Sequence, residues 1–145
     1  MKRLLSVIIT FILISGLTFG SFAEFKDIPQ NAPYEAALNR LISLNIMDEP
    51  ADGLFKPDSP ITRVDFSKAM ILASNLKEYA QSLEGISIFD DIQPGEETTG
   101  YINAAVNKGF ITPKADGLFH PQDGITFAQA CTIMVRALGY GDQDV

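Results

Sequence analysis

Beyond residue 23, apolar residues recur at helical spacing in four stretches separated by turns. Tyr34, Ala37, Leu38, Leu41 and Leu44 form one stripe and predict a first helix, with Asn31 able to cap it and Pro33 suited to its first turn. Phe66, Ala69, Met70, Ala73, Leu76, Ala80 and Leu83 continue a single face and predict a second helix, from Thr62 to about Leu83, ending near Gly85. Tyr101, Ile102, Ala105 and Val106 predict a third, capped by Thr98 or Thr99 and closed by Gly109. Ala130, Ile133, Met134, Ala137 and Leu138 predict a fourth, from Thr126 to Gly139. Each pair of helices is joined through Asp-Gly (Asp52-Gly53 and Asp116-Gly117), a pair that favours positive φ and a tight turn. The Leu-Phe that follows is expected to plug into the core, and Pro57 or Pro121 keeps the chain out of a helix.

The two halves match at an offset of 64 residues. Phe25-Lys26-Asp27-Ile28 aligns with Phe89-Asp90-Asp91-Ile92, and Asp52 to Pro57 with Asp116 to Pro121. Ile61-Thr62 aligns with Ile125-Thr126, and Met70 with Met134. The expected fold is therefore all-α, with two helix–loop–helix repeats over 24–84 and 85–145 and a linker at Glu84 to Ser87. One such unit is too small to bury its own apolar face, and two are marginal, so a third unit from another chain, or a homo-oligomer, is an expected partner.

The start of the second helix is specified residue by residue. Thr62 can accept from the N–H of Val64 or Asp65, and Asp65 can return a bond to the Thr62 N–H. Ile61 and Phe66 take the positions of a hydrophobic staple. Arg63 has no such explanation, because a cation is mildly unfavourable at the positive end of a helix. Two readings stay open for it: a solvated side chain, or an anion site made with free backbone N–H groups.

Composition narrows the field. Residues 1–23 carry Lys2 and Arg3, then an apolar run from Leu4 to Phe19, then Ser21-Phe22-Ala23. This is the pattern of a secretory signal peptide cut after Ala23, and the run is short for a membrane span. Without it the chain has 9 basic and 18 acidic residues, a net charge near −9, which argues against nucleic acid or an anionic membrane as a non-specific partner. No later stretch could cross a membrane, so none is expected as a partner after cleavage. Cys131 is the only cysteine, so no internal disulfide framework exists, and its helical setting predicts a small, at least half-buried side chain. His120 is the only histidine, placed in a turn at the surface. A histidine triad or a Cys/His zinc site cannot be assembled, and no phosphate loop is present, so no catalytic residue, metal or cofactor is expected. Asp48 to Ser59 has Asp and Gly at calcium-loop spacing, but Pro50 and Ser59 stand where ligands belong. Asp90-Asp91 and Glu96-Glu97 read as solvated loop acids.

Taken together, the Phe-x-Asp-Ile, Asp-Gly-Leu-Phe-x-Pro and Ile61-Thr62-Arg63-Val64-Asp65-Phe66 motifs resemble the S-layer homology domains of bacterial surface proteins. Gly100 to Val106, Gly109-Phe110-Ile111 and Val135 to Tyr140 resemble a middle repeat of that family. The resemblance implies repeats packed as a pseudo-threefold helical bundle, here incomplete. It implies non-covalent anchoring at the bacterial cell wall through secondary cell wall polysaccharide, an anionic polymer often bearing pyruvate ketals. It also makes Arg63 the residue that meets the ligand's carboxylate, with Thr62 and Asp65 beside it, which favours the anion-site reading. The second repeat departs from the pattern: Phe127 replaces the arginine, implying a groove without the charge-paired contact, and Thr126 and Gln129 read as a capping box alone.

Overall fold

The computed structural model describes residues 25–141. The expected signal peptide lies outside the described residues. Five helices are present among these: α1 (Glu35–Ser43), α2 (Arg63–Ala73), α3 (Lys77–Gln81), α4 (Glu97–Asn107) and α5 (Phe127–Ala137). The described residues form no strand, only an isolated antiparallel bridge between Thr62 and Gly124. None of these helices is long and apolar enough to cross a membrane.

The long second helix expected from Thr62 to Leu83 is broken in two. Asn75 turns left-handed at φ 56°. Its N–H donates to the Leu72 carbonyl and the Leu76 N–H to that of Ile71, each at 3.0 Å, which closes α2 in a Schellman motif. The same two-bond ending closes α1 at Asn45, α4 at Gly109 and α5 at Gly139. At the repeat offset Asn45 matches Gly109 and Asn75 matches Gly139, so the first repeat uses asparagine where the second uses glycine. The break lets α3 turn back across α4, and Ala80, Leu76 and Leu83 still reach the core.

Two helix starts differ from expectation. Tyr34, not Asn31, occupies the cap of α1, without a side-chain bond. Asn31 is left-handed (φ 63°), and Ala32 donates to the Pro29 carbonyl at 3.0 Å, so these residues make a turn before the helix. Glu96 caps α4, again without a side-chain bond. The Thr99 hydroxyl, on a fully buried side chain, instead donates to the Gln93 carbonyl.

The repeated motifs fold as one device. In each repeat the Phe-x-Asp-Ile aspartate grips the Asp-Gly turn. Asp27 accepts from the N–H groups of Phe55 (2.8 Å) and Lys56 (2.6 Å). Asp91 accepts from those of Phe119 (3.1 Å) and His120 (2.7 Å). Asp91 is therefore not a solvated loop acid. Burial works to raise its pKa, but the two N–H donors outweigh it and hold the carboxyl below its ordinary value. Glu97 is committed too, accepting from the Tyr101 hydroxyl at 3.0 Å. Phe25 packs on Phe55 and Phe89 on Phe119, with ring centroids 5.7 and 5.6 Å apart. Phe119 is fully buried, as expected of the Leu-Phe plug, whereas Phe55 is only half-buried.

The core lies where the repeats meet. Helix α4 of the second repeat is held between α2 and α3 of the first and is buried continuously from Thr99 to Ala105. A Cβ at Gly100 would stand 2.3 Å from the Ala80 carbonyl oxygen, so only glycine allows this approach. The Asn103 side chain donates to the carbonyls of Leu83 (3.0 Å) and Ile86 (2.5 Å), pinning the inter-repeat linker to α4. By contrast, α1, the counterpart of α4, packs against no other described helix.

Candidate functional site: an inter-repeat groove

The first turn of α2 is capped as its sequence dictates, but its amides are occupied. The Thr62 hydroxyl accepts from the Asp65 N–H at 3.1 Å. Asp65 does not return a bond to the Thr62 N–H; its carboxylate accepts from the Thr62 hydroxyl at 2.5 Å. The Arg63 N–H donates to the Asp123 carbonyl (2.8 Å) and the Val64 N–H to that of Pro121 (3.1 Å). Backbone of the second repeat therefore fills the donors that would otherwise make an anion seat at this helix end.

The Arg63 side chain reaches across the same junction. It is only 5 % exposed. Nε donates to the Phe119 carbonyl at 2.8 Å and Nη2 to that of Thr112 at 3.0 Å. The guanidinium carbon lies 4.7 Å from the centre of the Phe119 ring, a cation–π contact. Burial pushes the Arg63 pKa down, Asp123 and Asp91 push it back up, and the group keeps its charge. Two of its five N–H groups are committed to carbonyls, and the rest of the fork faces a groove.

That groove has a volume of about 310 Å³ and lies beside α5. Arg63 and Thr112 line one wall; Gln129, Thr132, Ile133 and Arg136, spaced as one helical face, line the other. A second hollow of about 420 Å³ shares Thr112 and Arg136 and adds Lys108, Gly139 and Tyr140. Three cations from two repeats thus line these two adjoining hollows, a trough on a chain that is otherwise strongly acidic.

The groove beside α5 was expected to lack an arginine because Phe127 replaces it. The structure corrects this. The first residue of each such helix points away from its own repeat, so Arg63 serves the groove of the second repeat, while Phe127 projects into solvent at 85 % exposure. The Thr126–Gln129 capping box is present, at 3.2 and 3.0 Å, and Gln129 lines the groove as well.

Of the three residues the sequence singled out, Thr62 and Asp65 bond to each other and Arg63 diverges from them. Asp65 lines a different hollow, of about 220 Å³, with Ile46, Met47, Asp48, Ile61, Lys68 and Ala69. This is the first repeat's own version of the groove: Met47, Asp48, Asp65, Lys68 and Ala69 match Ile111, Thr112, Gln129, Thr132 and Ile133 at the offset of 64. Lys68 there pairs with Asp48 at 2.8 Å. Sequence reading missed Lys108, Thr112, Thr132 and Arg136. Gln129, Thr132 and Arg136 were detectable as a polar stripe at helical spacing; Lys108 and Thr112 carried no signal before the fold brought them alongside.

Comparisons with known proteins identify the family. The S-layer homology domain profile matches residues 24–67 and 88–131, two stretches again offset by 64 and together more than half the chain. The chain therefore belongs to the S-layer homology domain family. A cell surface protein of Thermoanaerobacter kivui is 33 % identical over 99 % of this chain and 19 % of its own length. A surface layer protein of Brevibacillus choshinensis is 27 % identical over 89 % of this chain and 12 % of its own. A cellulosome-anchoring protein of Acetivibrio thermocellus is 29 % identical over 83 % of this chain and 27 % of its own. The chain thus spans about a quarter or less of each of these relatives. No solved structure gives a significant match.

Proposed function

We propose that this chain is a cell-surface anchoring module whose inter-repeat groove holds an anionic cell wall polysaccharide. The observation that carries the reading is the trough lined by Arg63, Arg136 and Lys108 on a chain of net charge −7. Thr112, Gln129 and Thr132 offer hydroxyl and amide groups for sugar hydroxyls. The free part of the Arg63 fork meets a sugar-borne carboxylate, such as a pyruvate ketal, and Arg136 approaches it from the facing helix. Thr62 and Asp65 act indirectly, by fixing the helix start from which Arg63 projects. The relatives' names, which include a surface layer and a cellulosome-anchoring protein, support the setting at the cell surface.

A packing role without glycan is the competing reading, and the burial of Arg63 against two carbonyls favours it. Pelleting the chain with bacterial wall sacculi separates the two. The anchoring reading expects binding to intact walls, loss once the secondary polysaccharide is stripped, and loss with Lys108→Gln/Arg136→Gln. Equal pelleting with stripped walls, or none with intact ones, would leave packing as the better account.

A further inference from the structure

The repeat offset makes the chain's internal junction a template for a second one. In the internal junction α2 buries Val64, Ser67 and Ile71 against α4. Their counterparts on α5 are Ala128, Cys131 and Val135, and none is buried: Val135 is 36 % exposed where Ile71 is 0 %. Leu138 and Tyr140 extend this open apolar face. The mate of such a face is a helix equivalent to α4, and α1 is that helix. It packs against no other described helix, and Ala36 and Ala37 are exposed where Gly100 and Tyr101 are buried.

The hollows complete the match. Arg63 crosses the internal junction to the rim of the groove formed by Ile111, Thr112 and α5. At the offset, the residue that crosses is Phe127, and the hollow that receives it is the one lined by Ile46, Met47, Ile61 and Ala69. The exchange of arginine for phenylalanine is matched by a hollow with four apolar lining residues, in which Lys68 is paired with Asp48 beside Asp65, and Phe55 stands where Phe119 underlies Arg63. We infer that this chain associates head to tail with a second copy, Phe127 of one copy seated in the Ile46–Met47–Ile61–Ala69 hollow of the next and the open face of α5 covered by α1. Such a contact is heterologous, so copies add in series until the rotation closes a ring. Ala128 and Tyr140 border both surfaces, while Arg63 and Thr112 lie at the internal junction, and a series of copies presents several troughs to one polymer.

Sedimentation of the chain purified without residues 1–23, over a range of concentrations, reads the association directly. The mass is expected to rise from one chain to several. Phe127→Ser and Met47→Lys are each expected to weaken association about tenfold or more, by removing or spoiling one large apolar contact. Phe127 is a surface residue, so its variant keeps the parent's melting temperature. Should Met47→Lys melt early, Ala69→Gln fills the same hollow from α2 instead. The decisive arm mixes the two kinds of variant. Each retains one intact surface, so the mixture forms a one-to-one pair and grows no further. A chain that stays single at every concentration, association that survives both substitutions, or a mixture that fails to pair would each overturn the inference.

Discussion

At the scale of the residue, Arg63 is both latch and lure. Its fork closes the junction by binding two carbonyls of the second repeat and covering Phe119, and what remains faces the groove. Arg63→Ala is therefore expected to cost about 3 kcal/mol, since a buried charged donor is lost and two carbonyls are left unpaired. Urea unfolding of the variant checks this, and an unchanged midpoint would contradict the latch. The substitution confounds folding with binding, so binding by the Lys108 and Arg136 variants, the former of which also loses a contact with the Tyr79 ring, is read beside their melting temperatures. Asp91→Ala strips the cap from the Phe119 and His120 amides and should cost about 2 kcal/mol by the same measurement. The oddity of Arg63 was legible in sequence, because a cation at a helix start lacks a local reason. Its direction was not, because the carbonyls it binds lie 49 and 56 residues further along the chain.

At the scale of the element, the repeat decides where helices stop. Gly100→Ala would drive a methyl into the Ala80 carbonyl at 2.3 Å and pry α3 from α4. A loss of roughly 3 kcal/mol is expected, of the order seen when a well-packed core is overfilled. Asn75→Ala should cost about 1 kcal/mol, because alanine is strained in the left-handed conformation that Asn75 adopts, while Asn75→Gly should be neutral or mildly stabilising. Thermal melts of the three variants rank these effects. Four of the helices were legible from their apolar stripes. The break in the second was missed because Leu76, Ala80 and Leu83 keep the apolar period across it. The clue lay in the second repeat, where the partner of Asn75 is Gly139. The starts of α1 and α4 were misplaced because the polar residues near them serve turns and the core instead of caps.

At the scale of the whole molecule, aspartates hold the turns and an electropositive trough stands out from an acidic surface. Asp27 and Asp91, each gripping two amides, are held below the ordinary carboxylate value despite the opposing effect of burial. Their contribution to stability is full above about pH 4, the unfolded value, and is lost as pH falls through the lower folded values. The melting temperature should therefore fall steeply below about pH 4, and less steeply in Asp91→Asn. The repeat architecture was fully legible from the offset of 64, but the trough was not, because its cations come from both repeats and converge only on folding. The most direct test of the account is calorimetric titration of purified secondary cell wall polysaccharide, intact and with its acidic substituents removed, into the chain and into Lys108→Gln/Arg136→Gln. The account predicts binding of the intact polymer that weakens with salt, falls at least tenfold in the double variant, and is lost with the acidic groups. Equal affinity of the chain and the double variant for the intact polymer would contradict it.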